Sequence, residues 1–189
     1  AAGIVVSKVG TYPIHRSELL DLWHSYKHSI QSKPLYTKVE MKELVSQWQS
    51  KGETVVFTNG CFDILHRGHI TYLQEAAQLG DHLIIGLNSD SSVQRLKGKT
   101  RPIVSEEDRA ALLSALRCID GVVLFEEDTP AELLAYLRPN TLVKGGDYKI
   151  EDIIGRESVD NVEVLSFKEG YSTSDIVGKI ATMAKEGKL

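Results

Sequence analysis

Residues 54–69 read TVVFTNGCFDILHRGH, and this stretch decides the fold. It opens with β-branched and aromatic residues, which are typical of a buried strand. The turn pair Asn59-Gly60 then ends the strand. From residue 70 onward, apolar residues recur at helical spacing. The stretch therefore predicts a strand followed by a helix, with His66 and His69 at the junction.

A junction of this kind binds phosphate in α/β proteins, because free backbone N–H groups and the positive end of the helix dipole point at the ligand. His66 and His69 are three residues apart, so they share one face of the first helical turn. Gly68 has no Cβ, which allows a phosphate to approach the backbone. Two imidazoles suit a phosphoryl group whose negative charge grows in a transition state.

Two other interpretations of the histidine pair remain open from the sequence. The pair could bind zinc together with Cys61 and Asp63, although the spacings of zinc fingers and zinc proteases are missing. A histidine at a helix start can also be a plain polar cap.

The composition excludes several classes of protein. The 189 residues are 42% hydrophobic and 25% charged, as in ordinary globular domains. A net charge of −4 argues against a broad basic surface for nucleic acid. The two cysteines, Cys61 and Cys118, form no disulfide framework. No apolar run reaches the roughly 18 residues of a membrane span, and no signal peptide is recognisable. We expect a cytoplasmic protein that binds neither nucleic acid nor membrane.

Further strands alternate with helices along the chain. They are predicted over residues 82–88, 121–125, 141–144 and 162–167. This alternation indicates a parallel sheet with helices on both faces. Right-handed crossovers then bring the loops after the strands to one edge, where they line a crevice.

Cap residues predict where the helices begin. Thr37 and Glu40 form a capping box, and Ser105 caps a later helix. Pro130 is predicted at the first position of its helix. The last helix is predicted to open at Ser172 or Thr173.

The motif His66-Arg67-Gly68-His69, preceded by Gly60-Cys61-Phe62-Asp63, resembles the HxGH signature of the nucleotidyltransferase superfamily. Together with Lys144-Gly145-Gly146-Asp147-Tyr148, it is similar to one branch, the heptose 1-phosphate adenylyltransferase domains of bacterial ADP-heptose synthesis. The resemblance implies an α/β fold of the nucleotidyltransferase type, a Rossmann-like doubly wound parallel sheet of about five strands.

The same resemblance implies the reaction and the domain organisation. It implies transfer of AMP from ATP to D-glycero-β-D-manno-heptose 1-phosphate, with release of pyrophosphate, for the lipopolysaccharide inner core. It also implies that residues 1–36 are the tail of a ribokinase-like sugar kinase domain plus a linker, and that residues 37–189 are the nucleotidyltransferase domain. Within the first segment, the amphipathic pattern of residues 17–30 and the cap residue Ser17 predict a helix. Fusion to the kinase and a homodimer are further expectations.

Site residues are carried over from the motifs by the same resemblance. The expected catalytic residues are His66, His69, Lys97 and Lys144. The expected nucleotide-binding residues are Asn59, Gly60, Cys61, Phe62, Gly68, Asn88, Asp90, Asp147, Ser172 and Thr173. The expected substrate-binding residues are Asp63, Lys99 and Arg101. No protein side chain is expected to ligate a metal, and Mg²⁺ is expected to bind mainly through the nucleotide phosphates.

Glu169-Gly170-Tyr171-Ser172-Thr173-Ser174 resembles the second signature of the superfamily. The chain departs from that signature at Phe167, which stands where the superfamily has an arginine, with Lys168 beside it. One triphosphate contact is therefore lost or supplied by Lys168. Lys97 and Lys99 could instead belong to a solvated loop. Arg109 matches a superfamily arginine but could also pair with neighbours on the surface.

Two rival functions remain open. One is a cytidylyltransferase acting on a small phosphate such as glycerol 3-phosphate. The other is a nucleotide-binding module without catalysis. A P-loop kinase is disfavoured, because Gly98-Lys99-Thr100 lacks the earlier glycine of a Walker loop, where Val93 stands.

Overall fold

A computed structural model of the protein describes residues 35–166 and 170–188. The predicted helix over residues 17–30 and most of the predicted kinase tail lie outside these ranges. The contact predicted for Lys168 lies outside them as well. The domain boundary after residue 36 stays a prediction.

Strands and helices alternate along the described part of the chain. The strands are β1 (Leu35–Tyr36), β2 (Val55–Gly60), β3 (His82–Asn88), β4 (Gly121–Phe125), β5 (Thr141–Gly145) and β6 (Asn161–Leu165). The helices are α1 (Lys38–Ser50), α2 (Arg67–Ala76), α3 (Asp90–Lys97), α4 (Glu106–Ser114), α5 (Ala131–Leu137) and α6 (Thr173–Lys185). Within the described ranges, no helix is both long and apolar enough to cross a membrane.

The strands form one sheet in the order β1-β4-β3-β2-β5-β6, and every pair is parallel. The predicted α/β, doubly wound parallel sheet is confirmed. It has one strand more than the roughly five expected from the alternation. The additional strand, β1, has two residues that pair with β4, which is too short to produce a periodic pattern. The last strand also ends at Leu165 rather than at residue 167.

The strands are buried on both faces. On β2, Val56 belongs to one core, while Val55 and Phe57 belong to the other. The first core contains residues of α2 and α4, and the second contains residues of α1 and α5. Because successive strand residues point to opposite faces, continuous apolar runs are what a doubly covered parallel sheet requires.

Most predicted helix starts are confirmed. Thr37 and Glu40 form the capping box, with the Glu40 N–H 3.2 Å from Thr37 Oγ1. Ser105 and Ser172 are N-caps whose hydroxyls accept a backbone N–H. The prediction for Pro130 was wrong by one residue, because this proline is the cap and the helix begins after it.

The strand order reverses at β2, which has β3 and β4 on one side and β5 and β6 on the other. Ligands bind outside the carboxyl ends of the strands at such a switch point. Beneath this point, the buried hydroxyl of Tyr72 donates to the Val143 carbonyl at 3.1 Å. It lies 2.6 Å from Thr58 Oγ1, so Tyr72 joins β2 to β5. Burial raises the pKa of Tyr72 to about 12.

We expect Tyr72→Phe to lower the free energy of unfolding by about 1–2 kcal/mol, because it leaves buried polar groups with fewer partners. Urea denaturation measures this change, and the slope with denaturant concentration should stay constant. Tyr136→Phe is the control, since Tyr136 is 44% exposed. Equal stability of the two variants would contradict the bridging role.

Candidate active site

A pocket of about 510 Å³ lies at the carboxyl ends of β2, β3 and β5, at the predicted edge of the sheet. Most of the predicted site residues line it. They are Asn59, Gly60, Cys61, Phe62, Asp63, His69, Asn88, Lys97, Arg101, Lys144 and Thr173. Others lie outside the lining, namely His66, Gly68, Asp90, Lys99, Asp147 and Ser172. The individual roles assigned to these residues stay predictions.

His66 is the N-cap of α2, and its Nδ1 accepts the His69 backbone N–H at 3.3 Å. Since Nδ1 is the acceptor, the proton of the neutral ring is on Nε2. The two imidazole rings stack, with centroids 3.8 Å apart and planes 16° apart. The capping interpretation of His66 therefore describes a real contact, and this contact fixes the ring beside His69.

His69 is an uncharged imidazole in the pocket. Burial lowers its pKa to about 4, and the adjacent His66 adds to the shift. Burial also lowers the pKa of His66. Among the described residues, no hydrogen-bond partner reaches the buried Nδ1 of His69. A buried polar atom of this kind is normally satisfied by water or ligand.

Gly60 and Phe62 shape the pocket beside His69. A Cβ at Gly60 would come within 3.0 Å of the Phe62 ring. Phe62 has φ 45°, a left-handed conformation that is uncommon for a bulky residue and tends to occur at functional sites. Its ring packs edge-on against His69 with centroids 5.3 Å apart. Gly60 thus provides the space for the ring that contacts the histidine.

The space beside Gly68 is occupied by protein. A Cβ there would lie 2.9 Å from Tyr171 Cβ and 3.1 Å from the His66 ring. Close packing therefore requires a glycine at this position. The approach of a phosphate to Gly68 stays a prediction.

Lys144, at the end of β5, donates from its Nζ to the side-chain oxygen of Asn59 at the end of β2. Burial lowers the pKa of this amine to about 8. The carboxylates that line the pocket, Asp63 and Asp128, are paired with arginines. Among the described residues, Lys144 has no carboxylate partner. The pocket therefore presents a partly buried cation to an anionic ligand.

Asp63 is only 3% exposed, and its carboxylate accepts the Ile103 N–H at 2.7 Å and the Val104 N–H at 3.0 Å. Its other oxygen, Oδ2, accepts a hydrogen bond from the guanidinium of Arg101. Burial alone would raise the pKa of Asp63, but the hydrogen bonds from Val104, Arg101 and Ile103 hold it below the ordinary value. The geometry favours a role in fixing this loop over the predicted contact with substrate.

Arg109 is completely buried, so the alternative of surface pairing was wrong. Its guanidinium donates to the Val104 carbonyl at 3.0 Å, the Cys61 carbonyl at 2.5 Å and Asp90 Oδ1 at 2.7 Å. The Asp90 carboxylate is thus engaged with Arg109. The sequence did contain a signal for this burial. Arg109 lies four residues before Leu113, so the two share one face of the helix, and Leu113 is buried.

The two candidate lysines differ in position. Lys97 is the last residue of α3 and lines the pocket. Lys99 is exposed, follows Gly98 in a turn, and is absent from the lining. The geometry favours Lys97 for contact with phosphate.

The pocket also contains residues that the predicted site did not include. They are Tyr72, Leu96, Asp128, Gly145, Tyr148 and Ser174. Gly145, Tyr148 and Ser174 lie inside the motifs that carry the resemblance, so a signal for them was present. Asp128 belongs to no local motif. It follows β4, and the rule that loops after parallel strands meet at one edge could have identified it.

Residues 57–179 match the cytidylyltransferase-like family. The chain belongs to this family. The match contains all of β3, β4, β5 and β6 together with most of β2, and therefore the whole pocket lining.

Curated relatives extend the match. The chain is 47% identical over 180 residues to Bifunctional protein HldE of Wolinella succinogenes, and 49% identical over 180 residues to Bifunctional protein HldE of Campylobacter jejuni subsp. jejuni serotype O:2. Each alignment covers 95% of this chain and 38% of the relative. The chain thus spans well under half the length of these relatives.

A solved structure is also similar. The lipopolysaccharide core biosynthesis protein from Thermoplasma volcanium GSS1 aligns with a TM-score of 0.52 and 32% sequence identity. The alignment covers 64% of this chain and 100% of that protein.

We expect Asp63→Asn to lower the free energy of unfolding by about 2–3 kcal/mol at pH 7, since it leaves the Arg101 guanidinium without its anion. Chemical denaturation measures the loss. Asp152→Asn is the matched control, because Asp152 is exposed. A stability loss no larger than that of the control would contradict the loop-fixing role.

Proposed function

We propose that this domain transfers AMP from ATP to D-glycero-β-D-manno-heptose 1-phosphate, releasing pyrophosphate and forming ADP-heptose. The observation that carries the proposal is a pocket at the switch point of the sheet that contains both the partly buried Lys144 amine and His69, whose Nδ1 has no hydrogen-bond partner among the described residues. The similarity to HldE proteins and to a lipopolysaccharide core biosynthesis protein supports this choice of acceptor.

The reaction needs little proton transfer. The second pKa of a phosphomonoester is about 6, so the acceptor is largely dianionic at neutral pH. One of its oxygens attacks the α-phosphorus of ATP, and the bond from that phosphorus to the bridging oxygen breaks. Pyrophosphate leaves with the bonding electrons. No catalytic base is required, and the protein supplies in-line positioning and neutralisation of charge.

The histidines and lysines divide this work. His66 and His69 stabilise the α-phosphate in transit and the departing pyrophosphate, since a neutral imidazole still donates one hydrogen bond. The ammonium groups of Lys144 and Lys97 neutralise negative charge on the triphosphate and the acceptor. Thr173 lines the pocket at the start of α6, where backbone N–H groups without an intrahelical partner would bind phosphate oxygens.

The pocket fits Mg²⁺ that arrives with the nucleotide. Within residues 35–166 and 170–188, no group of three or more His, Cys, Asp or Glu side chains could hold a metal ion. Of the two carboxylates that line the pocket, Asp63 is engaged through both oxygens by Arg101 and two backbone N–H groups, and Asp128 through Oδ1 by Arg95. Mg²⁺ would therefore take most of its ligands from phosphate oxygens and water. When bound, the ion neutralises charge on the triphosphate.

We propose a larger assembly around this domain. Most of the first 36 residues, the segment before β1, would be the tail of a ribokinase-like sugar kinase domain and a linker. The relative named as a bifunctional protein, of which this chain covers 38%, supports the fusion. The reaction would take place in the cytoplasm, where ATP is available and a cysteine outside any disulfide, such as Cys61, stays reduced. Homodimerisation is the remaining family expectation.

We expect His66→Ala and His69→Ala to lower turnover by about 10²-fold or more, the scale of losing one preorganised donor. The assay measures pyrophosphate released from ATP and D-glycero-β-D-manno-heptose 1-phosphate. His82→Gln is the matched control, because His82 starts β3 at the opposite edge of the sheet and stacks on Trp48. Near-normal turnover in both folded variants would refute the assignment.

The same assay separates the rival functions. Pyrophosphate release is compared across the four nucleoside triphosphates, with heptose 1-phosphate and glycerol 3-phosphate as acceptors. A preference for CTP and glycerol 3-phosphate would overturn the proposal in favour of a cytidylyltransferase. Tight ATP binding without turnover on any acceptor would favour the non-catalytic module.

We expect kcat/KM to fall as the pH rises through about 8, because the Lys144 amine, with its pKa lowered to about 8, then loses its charge in the free enzyme. Lys144→Arg should remove this alkaline limb, since a guanidinium stays protonated. Lys149→Arg is the control, because Lys149 is 77% exposed. An unchanged limb in Lys144→Arg would show that another group titrates.

A further inference from the structure

The pocket has two chemically different ends, one on each side of β2. The β3 end is lined by Asn88, Leu96, Lys97 and Asp128. The β5 end is lined by Gly145, Tyr148, Thr173 and Ser174. Lys144 and Asn59 meet between the two ends.

We propose that the β3 end holds the sugar phosphate, with Asp128 accepting hydrogen bonds from the sugar hydroxyls. The β5 end then holds the nucleoside, with Tyr148 against the base. This inference rests on the proposed function and adds to it the residue that selects a polyhydroxylated acceptor.

Asp128 is held in place but remains open to a ligand. It follows β4, and its Oδ1 accepts Arg95 Nε from α3 at 2.7 Å. The same guanidinium donates to the Glu126 carbonyl, so one side chain fixes the loop twice. The Asp128 side chain is nevertheless 57% exposed. Among the described residues, its Oδ2 accepts no hydrogen bond.

The charges at the β3 end suit the two parts of a sugar phosphate. A carboxylate repels a phosphate, so Asp128 is suited to hydroxyl groups, to which it offers strong charge-assisted hydrogen bonds. Lys97 also lines the pocket and pairs with no carboxylate among the described residues, so it would attract the phosphate. Glycerol 3-phosphate has few hydroxyls, so a carboxylate here favours a larger polyol.

The β5 end suits an uncharged aromatic base. Tyr148 follows β5, lines the pocket and is 57% exposed. An aromatic ring with an open face stacks on any nucleobase. With the base at this end and the sugar at the β3 end, the reacting phosphates lie between them, close to Lys144 and His69.

The first test is Asp128→Asn, assayed by pyrophosphate release with each substrate varied in turn. We expect KM for heptose 1-phosphate to rise at least about tenfold, the scale of losing one hydrogen bond to a charged group, with KM for ATP changing less than about twofold. Glu126→Gln, which removes the same charge from a neighbouring exposed residue, should leave both values unchanged. Asp128→Asn should also unfold within about 2 °C of the parent, because exposed ion pairs contribute little.

Three results would overturn the assignment of Asp128. They are an unchanged KM for heptose 1-phosphate, a rise confined to ATP, and an equal effect in Glu126→Gln. Failure of the parent enzyme to use heptose 1-phosphate would instead overturn the proposed function.

The β5 end is tested by binding, which does not depend on turnover. Calorimetry with ATP should show an affinity loss of at least about fivefold in Tyr148→Ala, the scale of one base–aromatic stack. Tyr136→Ala, whose ring is 44% exposed on α5, should bind ATP like the parent. Unchanged ATP affinity in Tyr148→Ala would overturn the assignment of the nucleoside, whatever the acceptor proves to be.

Discussion

The contact between Lys144 and Asn59 joins the ends of β5 and β2. These two parallel strands are neighbours at the point where the strand order of the sheet reverses. An amine in such a partly buried position loses hydration, which is why its pKa falls to about 8. The Asn59 amide oxygen accepts a hydrogen bond from the amine but supplies no negative charge. A bound phosphate would supply that charge, so the fold keeps at its centre a cation that an anionic ligand stabilises. Tyr72 supports the arrangement from below by bonding to the same two strands.

The histidines complement this cation without adding to its charge. His66 caps α2 through Nδ1, and the stacked, half-buried His69 has a lowered pKa. Two protonated rings at this separation would repel each other and also repel Lys144. Two neutral rings stack without that cost and still offer hydrogen-bond donors. The junction therefore combines one full positive charge with oriented dipoles, which suits charge that develops during phosphoryl transfer.

Sequence patterns predicted the parts of this site that depend on local structure. The turn at Asn59-Gly60, the cap at Ser172 and the histidines at the start of α2 each follow from spacing within a few residues. Contacts between distant segments could not be predicted in this way. The bond from Asp63 to Arg101 and the burial of Arg109 depend on how the loops fold back over the pocket. Such contacts leave no periodic signal, because each involves a single pair of residues far apart in the chain.

The basic residues around the pocket divide into two chemical groups. Arg95, Arg101 and Arg109 each bind a carboxylate, and Arg95 and Arg109 also bind main-chain carbonyls. The planar guanidinium donates several hydrogen bonds in fixed directions, which suits it to holding loops together. Lys97 and Lys144 line the pocket, and neither pairs with a carboxylate in the described residues. An ammonium group is a compact charge on a flexible stem. It can therefore stay close to a phosphate that moves during a reaction, whereas a guanidinium bound at several points cannot follow it as easily. Exchanging the two residue types would therefore weaken the loops in one case and the grip on phosphate in the other, although the net charge of the pocket would not change.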